Sequence, residues 1–250
     1  MTGEQQKSIL IVYADYVDHF QDIEQFRFNS TTNDYLKFGY SVLHVVACNE
    51  ISQVSFYELN DSHFLLMRPN LGYDFGSWAQ SLDYSHILIS FEFLVFSNSS
   101  LLGPFTSPVA LIQTLVDLNG DVKAAVESFQ IVPHFQSYMW TVASEILLGT
   151  PQLLDFLSFF KNELPDRELI IKNGELTFPK VLKECNLTYV ALFPAGSLCS
   201  YEKNPSLDAP EGLIRSGFPY LKKALFSNQS QIRYYQMMIR KYFPNYKIPF

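Results

Sequence analysis

Residues 68–104 read RPNLGYDFGSWAQSLDYSHILISFEFLVFSNSSLLGP in one-letter code, and this stretch decides the fold. It predicts a polar turn that contains glycine, a helix over residues 74–82, a buried strand over residues 87–96, and a second polar turn. The apolar segment 64–67 predicts a strand that leads into the first turn. Two polar turns therefore lie at the ends of neighbouring strands, where open α/β sheets hold their ligands.

Alternation of strands and helices predicts the α/β class. The apolar runs at 8–13 and 42–47 have strand length and suit strands covered on both faces, as in a parallel sheet. Short connections between alternating strands and helices predict a mostly parallel central sheet flanked by helices. Residues 18–38 could form one helix or two helices, and residues 49–62 could hold a short helix. The other predicted elements are strands at 122–129 and 188–193, strand-like composition at 133–142, helices at 108–118, 148–161, 176–185, 220–226 and 229–242, and a loop at 196–210.

The composition is typical of a globular chain. At 250 residues the chain can bury a full core, and we expect a single domain over residues 1–250. Hydrophobic residues make up 48% and charged residues 17%, which argues against disorder. The net charge of −7 argues against a nucleic-acid partner, because phosphate neutralisation needs a basic face. The three cysteines are widely spaced and form no metal motif or disulfide framework, which favours a reducing compartment.

Two segments bear on location. Residues 1–7 lack the basic-then-apolar plan of a signal peptide. The run at 87–96 carries Glu92 and is much shorter than the about 20 apolar residues that span a bilayer. We therefore expect a cytoplasmic protein. The segment 231–243 is basic and aromatic within an acidic chain, so it could rest on the inner face of a membrane, although packing of its Tyr, Met and Ile side chains on the core explains it as well.

Several polar side chains are candidates for chemistry. Asn98, Ser99 and Ser100 directly follow a buried strand and should face the crevice, but an ordinary turn has the same composition. Asp74 begins a predicted helix, where it either binds a polar ligand or stabilises the helix start. Histidine has a reference pKa near neutrality, so His134 is either a general base or a satisfied core histidine.

Four blocks in sequence order carry a resemblance to a known family. They are residues 68–74 (Arg-Pro-Asn-Leu-Gly-Tyr-Asp), 98–104 (Asn-Ser-Ser-Leu-Leu-Gly-Pro), 133–138 (Pro-His-Phe-Gln-Ser-Tyr), and 204–206 followed by 218–222 (Asn-Pro-Ser and Phe-Pro-Tyr-Leu-Lys). On these blocks the chain resembles the rhamnan synthesis F family of bacterial polysaccharide glycosyltransferases. The resemblance implies a GT-A-like fold with a Rossmann-like sheet, in which residues 1–105 form the nucleotide-sugar-binding half and residues 106–250 form the acceptor-side half with the C-terminal helices.

The resemblance also implies roles for individual residues. The implied donor-binding residues are Arg68, Asn70, Gly72, Asp74, Asn98, Ser99, Ser100, Gln136 and Lys222. Arg68 could pair bidentately with a phosphate, and Gly72 permits a tight turn whose backbone N–H groups could face the donor. The candidate catalytic groups are Asp74, His134 and Glu127, although Glu127 is also explained as a surface charge.

One position departs from the family pattern and bears on metal use. The family has Asp after the first Asn of the second block, and this chain has Ser99. Mg²⁺ and Mn²⁺ prefer charged oxygen ligands, whereas a serine hydroxyl and the Asn98 amide are neutral. Either a metal binds weakly or not at all, or another carboxylate such as Asp74 supplies the charge, so the sequence leaves the metal ligands unknown.

The function implied by the resemblance is transfer of a hexose or deoxyhexose, rhamnose-like or galactose-like, from a UDP-, dTDP- or GDP-linked donor to a surface polysaccharide, such as O-antigen of the cell envelope, or to a lipid-linked glycan. The alternative is a non-catalytic module of the same fold that binds a nucleotide sugar or a glycan. A nucleotide-binding protein of another kind is disfavoured, because neither a Gly-x-Gly-x-x-Gly nor a Walker A motif occurs in the sequence.

Overall fold

The computed structural model describes residues 7–27, 29–162, 166–200 and 202–248. Its strands are β1 Ile9–Tyr16, β2 Ser41–Cys48, β3 Ser55–Asn60, β4 His63–Pro69, β5 Phe93–Asn98, β6 Leu101–Leu102, β7 Val122–Ser128, β8 His134–Phe135, β9 Met139–Ala143, β10 Tyr189–Phe193 and β11 Leu221–Lys222. Its α-helices are α1 Glu24–Arg27, α2 Ser30–Lys37, α3 Tyr73–Ser81, α4 Ser85–Leu88, α5 Val109–Asp117, α6 Ser144–Gly149, α7 Pro151–Ser158, α8 Arg167–Ile170, α9 Phe178–Glu184, α10 Ala195–Leu198, α11 Pro205–Asp208, α12 Pro210–Arg215 and α13 Gln229–Tyr242. Short 3₁₀ turns occupy Leu82–Tyr84, Phe159–Lys161 and Lys223–Phe226, and one wide turn of the π type occupies Ile171–Glu175.

The central sheet has the strand order β10-β7-β9-β5-β1-β2-β4-β3. Strands β5, β1, β2 and β4 run parallel to one another, so the carboxyl ends of these strands meet at one edge. Antiparallel β3 and β9 border this parallel centre on its two sides. The predicted α/β class, with a mostly parallel central sheet flanked by helices, is confirmed.

Aromatic side chains fill the core between the sheet and α3. The rings of Phe96 and Trp140 stack with their centroids 4.1 Å apart, and Trp78 meets Trp140 edge-on at 5.8 Å. Both tryptophans are fully buried, with 0% of their surface exposed. This packing fixes β5 and α3 against each other, and the polar turns that follow β5 and precede α3 are positioned by it.

Four predicted elements are wrong. The run at 87–96 is α4 followed by β5, because Ile87 and Leu88 are buried as helix residues while Ile89 is 56% exposed. Periodicity does not distinguish a short buried helix from a strand. Residues 49–62 contain β3 rather than a helix, the predicted loop at 196–210 contains α10 and α11, and the predicted helix at 220–226 begins as β11, which pairs with β6. Of these elements, β11 depends on a partner that is distant in sequence, whereas β3 pairs with β4, the next strand along the chain.

Other elements are confirmed, or lie beyond what the structure tests. Residues 18–38 contain two helices, α1 and α2, and Asn29 caps α2 through its side-chain oxygen. Helix α13 matches its predicted bounds of 229–242. Of residues 1–7, on which the signal-peptide expectation rests, 1–6 lie outside the described residues. The single domain and its two halves stay a prediction. No helix in the described part of the chain is long and apolar enough to cross a lipid bilayer.

Candidate functional site

The first polar turn is built around Gly72, which begins α3. Gly72 has a φ of +65°, in the left-handed region that favours glycine. A Cβ atom there would lie 1.9 Å from the Phe160 carbonyl oxygen. Tyr73, the next residue, also has a positive φ of 52° although it carries a side chain. Backbone strain of this kind is found most often at binding and catalytic sites.

Arg68 supports this turn from inside the protein. Its side chain is 2% exposed, and its guanidinium donates hydrogen bonds to the Leu71 carbonyl and to Ser77 Oγ at 3.0 Å. Burial lowers the pKa of Arg68 to about 10. The predicted bidentate contact with a phosphate would require the guanidinium to leave these partners, so the structure gives Arg68 a structural role.

The two polar turns meet through Asp74 and Asn98. Asn98 Nδ2 donates to Asp74 Oδ2 at 2.7 Å. Asn98 Oδ1 in turn accepts from the backbone N–H of Ser100 at 3.1 Å and from Ser100 Oγ at 2.5 Å. Asn70 does not join them, since its amide donates to Asn49 Oδ1 at 3.1 Å. The predicted convergence of the turns after β4 and β5 is therefore present in Asp74 and Asn98.

Asp74 has an unusual electrostatic environment. Burial raises the pKa of its carboxyl group to about 6, and the negative charge of Glu175 adds to the rise. Lys222, the Asn98 hydrogen bond and Arg167 act in the opposite direction. A carboxyl group that lies beside a crevice and has a raised pKa is a common feature of functional sites.

Asp74 lines a crevice of about 290 Å³ at the carboxyl edge of the sheet. The polar side chains that line it are Asp74, Gln130, Gln136, Ser137, Arg167, Glu175, Asn204 and Lys222, and the apolar ones include Tyr73, Ile131, Ile170 and Leu207. Two carboxylates and two cations thus line one open crevice. Such an arrangement can hold a ligand that carries both charge and hydroxyl groups.

Gln136 organises the wall that contains Lys222. Gln136 Oε1 accepts from Lys222 Nζ at 3.1 Å and from Asn204 Nδ2 at 3.2 Å. The ammonium of Lys222 also lies 5.1 Å from the centre of the Tyr138 ring. Burial lowers the pKa of Lys222, and the negative charge of Glu175 opposes this effect. Gln136 and Lys222, which the family resemblance selects as donor-binding residues, thus both lie in the crevice wall.

His134 lies behind Gln136 and is not among the residues that line the crevice. Its Nδ1 donates to the Val132 carbonyl at 2.7 Å, so the neutral ring accepts at Nε2 from Gln136 Nε2 at 3.2 Å. Both ring nitrogens are engaged and the side chain is 4% exposed. In this arrangement His134 positions Gln136, and Gln136 in turn positions Lys222.

Glu127 lies outside the crevice. Its carboxylate accepts from Tyr189 OH at 3.2 Å and from the Ala195 N–H at 3.4 Å. These contacts fasten β7 to β10 and to the start of α10. The structure therefore does not bring Glu127 together with Asp74 and Asn98.

Ser99 is hydrogen-bonded to Asp15, a carboxylate that the sequence analysis did not select. The Ser99 N–H donates to the Ala14 carbonyl at 2.9 Å. Burial alone would raise the pKa of the neighbouring Asp15, but hydrogen bonds from His44 and Ser99 hold it below its ordinary value. Asp15 lies at the end of the buried strand β1, so the strand-end rule that selected Asn98 could also have found it.

Glu175 and Arg167 were also missed, and nothing in the local sequence marks them. Glu175 ends the wide turn Ile171–Glu175, and its carboxylate accepts a hydrogen bond from Ser137 Oγ. Wide turns of this type are frequent at functional sites, but they are rarely visible in sequence. The two side chains reach the crevice only because α8 and this turn fold over it.

Metal binding depends on which side chains the described residues bring together. No group of three or more His, Cys, Asp or Glu side chains in the described ranges could hold one. The crevice carboxylates Asp74 and Glu175 already accept hydrogen bonds from Asn98 and Ser137. The positive charge that lines the crevice comes from Lys222 and Arg167.

The raised pKa of Asp74 predicts how stability varies with pH. The folded protein binds the Asp74 proton more tightly than the unfolded chain does, so this group destabilises the fold as pH rises from about 4 to about 6. We expect Asp74→Asn to raise the free energy of unfolding by about 1–3 kcal/mol near neutral pH and to change it little near pH ~4. Urea denaturation at the two pH values measures this, with the exposed Asp61→Asn as the control that stays near wild type. A less stable Asp74→Asn at neutral pH would contradict the assignment.

Two solved structures share the general form of the chain at low similarity. A putative nucleotide-diphospho-sugar transferase from Desulfovibrio desulfuricans G20 is 13% identical with a TM-score of 0.45, covering 94% of this chain and 97% of that one. A glycosyltransferase involved in glycosylation of the major capsid of PBCV-1 is 13% identical with a TM-score of 0.46, covering 92% and 98%. At that level of similarity nothing follows from them about this chain.

Sequence similarity gives a more specific result. The virulence protein VirA of Vibrio anguillarum is 26% identical over 190 residues, which is 63% of this chain and 60% of VirA. The match thus spans less than two thirds of the relative's length. The sequence pattern of the family described as rhamnan synthesis protein F matches residues 44–248, well over half of the chain. The chain therefore belongs to the rhamnan synthesis protein F family.

Proposed function

We propose that this protein is a glycosyltransferase that uses a nucleotide-sugar donor. The observation that carries the proposal is the hydrogen bond between Asp74 and Asn98, which joins two strand-end turns at one crevice. Lys222 and Arg167 line the same crevice and supply positive charge. An activated sugar needs such a combination, because its diphosphate is anionic while its sugar and ribose present hydroxyl groups. Family membership supports the same reaction class.

The donor is proposed to lie with its diphosphate beside Lys222 and Arg167. These cations would stabilise the charge that develops when the bond between the sugar and the diphosphate breaks. Gln136 holds the Lys222 ammonium in place. Asp74, which lines the crevice, would accept hydrogen bonds from hydroxyl groups of the sugar or the ribose, and Asn98 would hold the Asp74 carboxyl group in place. The proposed donors are UDP-, dTDP- and GDP-linked sugars.

The proposed reaction is a direct displacement in which the acceptor is activated by Glu175. The acceptor oxygen forms a bond to the anomeric carbon as the bond to the diphosphate breaks, and the acceptor proton passes to the Glu175 carboxylate. Ser137 orients that carboxylate by donating to it. Glu175 takes the place of His134 in this role, because His134 has no free ring nitrogen.

The finer details of the proposal follow the family. The sugar is proposed to be a hexose or deoxyhexose, and the acceptor a surface polysaccharide or a lipid-linked glycan made on the cytoplasmic side of a membrane. Because Ser99 stands where the family has an acid, the proposed mechanism uses Lys222 and Arg167 for charge neutralisation.

A second candidate is a non-catalytic module that binds a nucleotide sugar or a glycan. The observation that favours it is the neutral Ser99 at the end of β5, next to Asn98. The transferase and a module that binds a nucleotide sugar both predict donor binding in the crevice, and only the transferase predicts release of the nucleoside diphosphate.

A thermal-shift panel tests the proposal. UDP-, GDP- and dTDP-sugars are added to the protein with and without Mn²⁺, and the responding donor is then tested for turnover. We expect one nucleotide class to raise the melting temperature, with little dependence on Mn²⁺, and its diphosphate to be released when acceptor is present. Binding without turnover for every acceptor would favour the module. No response to any nucleotide sugar would contradict the transferase and would leave only a module that binds a glycan.

A further inference from the structure

Helix α13 has one side buried against the protein. Tyr235, Met238 and Ile239 are buried there and belong to one apolar cluster with Leu221 and Leu225. Leu221 is part of β11, the strand that pairs with β6. The helix is therefore fixed to the fold along this side.

The opposite side of α13 carries a continuous exposed stripe. It consists of Arg233, Tyr234, Met237, Arg240 and Lys241, whose spacing of three and four residues places them on one face of a helix. Met237 is 69% exposed and Tyr234 is 54% exposed. Large apolar and aromatic side chains thus lie between cations on a surface that the described residues leave uncovered.

The charge of this stripe is of one sign. Helix α13 contains no acidic residue, in a chain with a net charge of −7. Among the described residues, neither Arg233 nor Arg240 has an ion-pair partner, and Lys241 pairs with Glu211 at 3.0 Å. The stripe is a local basic surface on an acidic protein, and it complements an anionic surface.

We propose that this face of α13 docks onto an anionic lipid surface. Interfacial helices combine Lys and Arg with aromatic and apolar side chains in this way, and the long cationic side chains reach the headgroups. Only Met237 and Tyr234 supply apolar contact, so attraction between charges carries most of the binding. Binding of this kind weakens with salt, because ions screen it.

Helix α13 is linked through β11 to one wall of the crevice. Leu221, which packs in the same cluster as the buried side of α13, is followed by Lys222, which lines the crevice. If the proposed transferase activity is correct, a lipid-linked acceptor would then approach the site from the bilayer. Docking itself does not depend on that activity, because it is measured without a donor or an acceptor.

Vesicle co-sedimentation tests the proposal with the full chain. Vesicles of phosphatidylcholine alone are compared with vesicles that also contain phosphatidylglycerol, at low and high salt. We expect binding to the anionic vesicles only, and its loss at high salt. The pair Arg233→Gln and Arg240→Gln should weaken binding roughly 30-fold, since each cation near the surface contributes about fivefold. The pair Lys37→Gln and Lys183→Gln removes the same charge from exposed positions elsewhere and should bind as wild type does.

A fluorescence reporter supplies a second readout. Both native tryptophans are fully buried, so Met237→Trp adds an indole whose emission reports on the stripe. We expect a blue shift with anionic vesicles and none with phosphatidylcholine. Equal loss of binding in both charge pairs, or no binding at all, would overturn the proposal. A dimer in sedimentation velocity that Arg233→Gln with Arg240→Gln dissociates would also overturn it, because a second copy would then cover the face.

Discussion

Replacing Glu175 with Gln is expected to lower kcat of sugar transfer by about 10²- to 10⁴-fold, the usual contribution of a general base. The amide keeps the size of the carboxylate and can still accept the hydrogen bond from Ser137 Oγ. It cannot take the proton of the acceptor hydroxyl. Because the change leaves Lys222 and Asp74 in place, the KM for the donor should change far less than kcat.

His134→Asn is the matched comparison for the base assignment. The shorter amide side chain can still donate to the Val132 carbonyl, as His134 Nδ1 does at 2.7 Å, but it cannot reproduce the contact of Nε2 with Gln136. We expect a loss of kcat below about tenfold, since the effect on Lys222 is indirect. Steady-state kinetics of the two folded variants distinguishes Glu175 from His134 as the general base. A severe loss in His134→Asn beside an active Glu175→Gln would return the role of base to His134.

The largest expected effect on stability is that of Gly72→Ala. An alanine at this position would have to adopt a φ of +65°. Its Cβ atom would also lie 1.9 Å from the Phe160 carbonyl oxygen. The Phe160 backbone cannot move away without pulling the Phe160 side chain, which is fully buried, out of the core. We expect a loss of roughly 3–5 kcal/mol in the free energy of unfolding, from backbone strain together with overpacking.

Gly39→Ala separates these two causes. Gly39 has a φ of +85°, but no atom lies within 4 Å of the place that a Cβ would take there. Its substitution should therefore cost only the strain of the left-handed backbone, roughly 1–2 kcal/mol. Urea denaturation of the two variants measures the difference. Equal losses would mean that the close approach of Phe160 to Gly72 is absent in solution.

The meeting of the two turns could be predicted from sequence because it follows from a general rule. Apolar runs of strand length followed by polar residues place those residues at the carboxyl edge of a parallel sheet, and Asp74 and Asn98 are found there in contact. Residues Gln136 and Lys222 could be selected only through the family resemblance. Their contact at 3.1 Å joins β11 to the turn before β9, elements that are distant in sequence.

Other features of the site could not be predicted, for identifiable physical reasons. A positive charge beside a glycine turn resembles a phosphate ligand in sequence, but Arg68 satisfies buried backbone carbonyls instead. Glu175 lies in a wide turn whose direction depends on the packing of Gly174 against Phe75. The two interpretations of His134 stayed open because sequence does not reveal which atoms will engage its two ring nitrogens.

The central claim is that the crevice beside Asp74 and Asn98 binds the diphosphate of a nucleotide sugar. It is tested most directly by the equilibrium binding of the donor identified in the thermal-shift panel to Lys222→Gln and Lys223→Gln, measured by calorimetry. The two variants lose the same charge at adjacent positions, but Lys222 lines the crevice while Lys223 is exposed outside it. We predict that Lys222→Gln weakens binding by about 10- to 100-fold and that Lys223→Gln leaves it within about twofold of wild type. Equal affinities for both variants, or a larger loss in Lys223→Gln, would contradict the account.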